Sequence, residues 1–322
     1  MKRTLAIVAL LLCSTLGLLA EDGVVSSSNN PMQVALLHWY QANQTQIAFQ
    51  AGGYPIAAAF DGQNIWVANA GSNSNNIMKF RSSDGLLLGT YPAGSVPSGI
   101  AFDGSNIWVT NQGGMSVYKF QASTGTLLNT IEVGYPTYGI AFDGTNIWVS
   151  GYSLGFVAGI APKTNTVFCN TAVGSDPIGI AFDGTDIWVA NAGSNNVTKL
   201  NQSGTVLGTY AVGSTPEYLA FDGKDMWVTN TGSNNVTKLS LTGAVLGTYA
   251  TQTAPQGIAF DGANMWVANH TSDTVTKLQV SNGANLGTFN VGINPWGVVF
   301  DGANIWVVEQ YYGYANGFLQ RL

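Results

Sequence analysis

Catalysis needs side chains that exchange protons near neutral pH, hold a metal or attack as nucleophiles, and this chain carries few. Among its 322 residues are two histidines, two cysteines and 17 acidic residues. His38 lies near the start of the chain and His270 far inside it, where Glu217 and Glu309 are the nearest glutamates. A base near neutral pKa beside a carboxylate-held divalent cation such as Mg²⁺ or Ca²⁺ activates carbon-bound or lactone substrates. That makes a metal-dependent lyase or lactonase one reading, with His270 as general base and Glu217 or Glu309 as ligand. The other reading has no catalytic residue and no cofactor, because one histidine and two glutamates are fragments of a constellation.

Aromatic residues offer a different chemistry. Tyr138, Tyr152, Trp296, Tyr311 and Tyr312 stand where related segments of the chain carry Gly, Ser, Asn or small apolar residues. Aromatic side chains on a rim give rigid contact area with polar tips, the composition of recognition surfaces. The expectation is a ligand-binding face for a glycan, peptide or surface polymer.

Both readings depend on the scaffold, and the scaffold is repetitive. Phe-Asp-Gly begins at Phe60, Phe102, Phe142, Phe182, Phe221, Phe260 and Phe300, each followed at a fixed offset by Trp66, Trp108, Trp148, Trp188, Trp227, Trp266 or Trp306. Equal periods of this length signal stacked structural units. In the fourth copy, "IGIAF", "DIWVAN", "NVTKL" and "TVLGTYAV" are separated by Asp-Gly, Gly-Ser-Asn-Asn and Gln-Ser-Gly. These are four short strands in a meander. Along "IWVA", Ile187 and Val189 point to one face and Trp188 and Ala190 to the other, so the sheet needs cover on both sides. The fold expected is all-β: a seven-bladed β-propeller with four-stranded antiparallel blades. After Phe300 only three strands follow. The fourth is supplied by Thr45 to Gly53, so the N-terminal strand closes the last blade.

Each Asp-Gly is expected at the turn between strands one and two, its carboxylate accepting nearby amides while Gly takes positive φ. Lys79, Lys119, Lys199, Lys238, Lys277 and Arg321 share one repeat position, replaced by Gly159 in the third unit. They are expected as a solvated outer face.

The remaining organisation is read as a signal peptide over 1–20, a linker with a short helix over 21–44, and the propeller over 45–322. Lys2, Arg3 and the apolar run from Leu5 support the first; Pro31 at a helix start and the stripe Met32, Leu36, Trp39 and Tyr40 support the second. A secreted or periplasmic location and a monomer follow. The net charge of −6, with 11 basic residues, argues against nucleic acid, and no later segment is expected to enter a membrane. Cys169 is expected to be a buried, inert thiol.

The segments "IWVANAGSNNVTKL", "LGTY" and "GIAFDG" resemble the YVTN-type and NHL-like propeller repeats of secreted and surface bacterial proteins, from Thr45 to Leu322. The resemblance implies a propeller used for binding or scaffolding. Streptogramin lyases are similar at a greater distance, which implies a metal-dependent site with His and Glu on one face; in this chain the blade histidine is His270. If the repeated residues are blade mechanics, function lies where the copies differ. Two rings vary: Ile56, Ser98, Tyr138, Ile178, Glu217, Gln256 and Trp296 at the channel mouth, and Ala70, Gln112, Tyr152, Ala192, Thr231, His270 and Gln310 just past strand two.

Overall fold

A computed structural model describes residues 47–311 and 316–322. The expected signal segment, the linker and helix before Thr45, and Tyr312 all lie outside the described residues. The described chain forms seven four-stranded antiparallel sheets whose first strands neighbour one another around an axis. The fourth blade runs Pro177–Phe182, Ile187–Asn191, Asn196–Leu200 and Val206–Ala211. The last sheet joins Ile47–Gln50 to Phe318–Arg321, Ile305–Glu309 and Pro295–Phe300, in that order. Ile47 faces Arg321 and Gln50 faces Phe318, so the ring closes as the repeat count requires.

The core lies between blades rather than inside any one of them. Ile65 and Val67 pack against blade seven, while Trp66 and Ala68, alternating with them on the same strand, pack against blade two. Period-two alternation therefore feeds two cores from one strand. All of Trp66, Trp108, Trp148, Trp188, Trp227 and Trp306 are fully buried, and burial of a large apolar side chain stabilises by about 1.5–3 kcal/mol.

The Asp-Gly turns do more than turn. Asp183 Oδ1 accepts the amides of Thr185 at 2.8 Å and Asp186 at 2.7 Å, while Oδ2 accepts the Trp188 indole N–H at 2.7 Å. The indole bond recurs in every blade, from Trp66 to Asp61 through Trp306 to Asp301. Gly62 at φ 95° shows why Gly follows the Asp.

The shared cation position departs from expectation. Lys79, Lys199 and Lys238 are buried, and the six cations sit 4.6 to 5.6 Å from the centroids of the six Trp rings opposite them. Lys79, Lys119, Lys199 and Lys238 each donate at 2.8 Å to a carbonyl of the next blade, at Ala122, Pro162, Leu241 and Val280. They are staples between blades, not a solvated face. The stem covers an indole while the ammonium finds a carbonyl, which satisfies both ends of an amphipathic chain. In blade three Phe168 meets Trp148 edge-on at 5.7 Å in place of the cation. A Cβ on Gly159 would lie 2.4 Å from that ring, so the missing lysine and the added phenylalanine are one exchange. Cys169, next to it, is half-buried rather than buried, and burial pushes its thiol up.

Candidate functional site

The end of the ring opposite the Asp-Gly turns is built by a repeated clamp. In most blades the residue before the linker Pro takes a left-handed conformation, as Thr215 does at φ 52°. Its carbonyl accepts the amide of the first residue past strand two, so Thr231 N binds Thr215 O at 2.9 Å and His270 N binds Ala254 O at 2.9 Å. Its amide is held from the preceding blade, Thr215 N by Asn195 Oδ1 at 2.8 Å and Ala254 N by Asn234 Oδ1 at 2.9 Å. The repeated Gly-Ser-Asn-Asn loops thus fix the second variable ring in place.

A bulge sets the first ring. Strands one and two lose register between Pro216 and Leu219, and likewise between Thr137 and Ile140 and between Pro295 and Val298. Bulges re-aim side chains, and here they turn Glu217, Tyr138 and Trp296 to the mouth, with the next residue facing the lumen. That next residue is Gly99, Gly139, Gly179, Gly257 or Gly297 in five blades and Ala57 in a sixth. The strands crowd there: a Cβ on Gly179 would lie 2.4 Å from the Glu217 carbonyl. Blade five breaks the rule with Tyr218, whose bulged amide is held by Thr229 Oγ1 at 3.0 Å.

Tyr218 organises the mouth. Trp296 Nε1 donates to its hydroxyl at 2.7 Å, across 78 residues of sequence, and Tyr138 stands beside it at the lumen. Tyr138 and Tyr152 have ring centroids 5.9 Å apart, and His270 meets Trp296 edge-on at 5.0 Å. Side chains from blades three, five, six and seven therefore form one connected group. Below it lies a lumen of about 140 Å³ lined by Tyr138, Tyr218, Ser98 and the small residues of the inner strands.

Glu217 sits in this group. Its carboxylate faces the side chains of Gln256 and Thr231, and the Thr231 hydroxyl donates to the Pro255 carbonyl at 2.7 Å. Burial outweighs the influence of these neighbours and pushes Glu217 up to about 7. Burial also raises Tyr138 and Tyr218, with the Glu217 charge adding to it. It lowers His270, against the opposing charge of Asp273.

The expected site residues divide. Tyr138, Tyr152 and Trp296 converge, and His270 and Glu217 join their group. Glu309 does not join through any such bond: it is 1 % exposed and accepts the Gly292 amide at 2.8 Å, as Asn69 accepts Gly52 at 3.1 Å in blade one. Its carboxyl occupies the place of a structural Asn, and burial raises it to about 7. Tyr311 packs edge-on against Phe318 at 5.0 Å within blade seven. Among the described residues no three His, Cys, Asp or Glu side chains come together as a metal-binding group. Tyr135, also odd in blade three, fills the space that Gly151 opens and donates to Asn170 at 2.7 Å. Tyr218 was not among the expected residues, although its place in a column of glycines was open to view.

No protein-family model matches the chain, and no curated protein matches it. In fold it is similar to solved propellers. A streptogramin B lyase superposes with a TM-score of 0.70 at 16% identity, covering 86% of this chain and 98% of that one. Virginiamycin B lyase from Staphylococcus aureus gives 0.72 at 18%, covering 86% and 99%. Hydrazine synthase of Kuenenia stuttgartiensis gives 0.71 at 19%, covering 84% and 96%. The likeness to lyase-type seven-bladed propellers, drawn from the repeats, holds for the fold.

Proposed function

We propose that this propeller is a non-enzymatic binding module, working outside the cytoplasm, that takes a glycan, peptide or surface polymer at its channel mouth. The observation that carries this reading is the group of Trp296, Tyr218 and Tyr138 at the mouth, joined by the bond from the Trp296 indole to the Tyr218 hydroxyl. It is assembled from residues that break the repeat in three blades, and none of the three stabilises its own blade the way the Asp–Trp pairs do. Pre-formed aromatic groups of this kind bind without the entropy cost of ordering loops. A glycan and peptide array on the protein lacking residues 1–20, with wild type beside Tyr138→Ala/Trp296→Ala, tests it. Different retention profiles support the reading; identical profiles remove the mouth from consideration.

A second reading, lyase or lactonase chemistry, is supported by Glu217, whose carboxyl near 7 suits proton transfer, and by the fold shared with two lyases. Turnover of lactone and cyclic depsipeptide substrates that is abolished by Glu217→Gln and by His270→Ala is its expected signature. Turnover indifferent to both variants ends it.

A further inference from the structure

Charge is unevenly distributed along the axis of the ring. Every Lys and Arg among the described residues lies at the Asp-Gly end, the six cations beside the indoles with Arg81 at the end of strand Asn76–Arg81 and Lys163 and Lys224 in turns, and these nine are balanced there by ten Asp residues. The mouth end carries Glu132, Asp176, Glu217, Asp273 and Glu309. A face with one sign of charge and low-dielectric walls focuses its field into the cleft it surrounds. The field at this mouth favours cations.

The mouth also holds an unused acceptor. Gln256 is 5 % exposed, its side chain stands beside Glu217, and its Oε1 has no hydrogen-bond partner. A buried carbonyl oxygen left unpaired costs about 1–3 kcal/mol unless a ligand meets it. Beside it stands a carboxylate whose neighbours are Thr231, Gln256, Tyr138 and Tyr218, none of them a cation. Tyr138 and Tyr218 stand near that carboxylate, Tyr152 lies against Tyr138 and Trp296 against Tyr218, and the π-faces of such rings attract positive charge.

Resting on the binding reading above, we propose that the group recognised at the mouth is a protonated amine, with Glu217 as its counter-ion, Gln256 Oε1 as a second acceptor and the aromatic rings as its walls. An ammonium supplies the N–H donor that Gln256 Oε1 lacks and the charge that Glu217, the rings and the field favour. A neutral sugar or alkyl group supplies the contact area without the charge.

The test uses two pairs of probes matched in shape. Nα-acetyl-lysine amide is set against Nα-acetyl-norleucine amide, and methyl 6-amino-6-deoxyglucoside against methyl glucoside. Binding is read at pH 8 from the indole N–H resonance of Trp296, assigned through Trp296→Phe. The indole signals of the Trp–Asp pairs report that each variant remains folded. The charged members are expected to shift the Trp296 signal and the neutral members not. Preference for the lysine or the amino-sugar probe separates a peptide source from a glycan source. Glu217→Gln is expected to weaken the charged probes by at least about tenfold, and added salt to weaken them further. Equal binding of charged and neutral members, or charged binding indifferent to Glu217→Gln, overturns the amine proposal. Probe binding that, measured by calorimetry, also survives Tyr138→Ala/Trp296→Ala overturns the mouth as the site altogether. No response to any probe likewise overturns the amine proposal, while the array still decides whether the mouth binds something else.

Discussion

Five carboxylates at one end of this ring and two at the other shift in opposite directions. At the turn end, burial alone would raise Asp103, Asp183, Asp222, Asp261 and Asp301, but an indole N–H and two backbone amides outweigh it, and all five fall below the ordinary value. Lys199 and Lys238 add ion pairs, at 2.9 Å to Asp186 and 3.0 Å to Asp225. At the mouth end Glu217 and Glu309 are buried with fewer donors, and both rise to about 7. Burial acts on both groups; what differs is how many donors meet the charge. Repetition supplied those donors at one end, and departure from it withheld them at the other.

The largest effect should come from breaking the turn end. Asp183→Ala strands the Trp188 indole, two amides and Lys199, so it is expected to cost about 3 kcal/mol, roughly 10 °C in Tm. Loss of less than about 1 kcal/mol in thermal or denaturant unfolding would show that the turn carboxylates are ornament.

The next effect is in pH. Carboxyls lowered on folding lend stability that is lost as pH falls below 3.8, their unperturbed value. Glu309, raised on folding, acts the other way: stability falls as pH climbs from 4.5 toward about 7. Glu309→Gln keeps an acceptor for Gly292 and removes the charge. It should stabilise by about 2 kcal/mol at pH 8 and change little at pH 4.5; an equal gain at both pH values would show that charge is not the cause.

Smaller still is the cost at the mouth. Tyr218→Gly restores the column of lumen glycines and should lower stability by under about 2 kcal/mol. The Trp296 indole loses its acceptor, and the ligand profile on the array should collapse. A fall as large as that of Asp183→Ala would make the mouth structural. The least effect is expected from Thr215→Gly, which relieves a β-branched residue at φ 52° and should shift stability by no more than about 1 kcal/mol either way. A larger loss would mean that the Thr215 side chain itself holds the clamp.

Why the scaffold could be read and the site only half read follows from particular residues. Alternation along "IWVA" requires two covered faces whatever the neighbours are, and three strands after Phe300 require a fourth from elsewhere. Lys199 was misjudged because its type says surface while its place, opposite Trp188 and within reach of the next blade's Leu241 carbonyl, is a matter of tertiary packing. Glu309 looked like a ligand because its equivalence to Asn69 matters only once both are seen capping a linker amide. Tyr218 was legible as the odd residue among glycines, but its meeting with Trp296 was not.

What the sequence determined by itself is the repeat: strand length, alternation, turn chemistry and blade count are local properties that each copy states again. Tertiary structure alone decided which odd residues meet. Tyr138, Tyr218 and Trp296 lie on three different blades, and the closure of the ring, with bulges turning each first strand toward the axis, brings residues 78 positions apart to 2.7 Å. No local rule carries that distance, because it is set by the sum of seven blade angles around a shared channel.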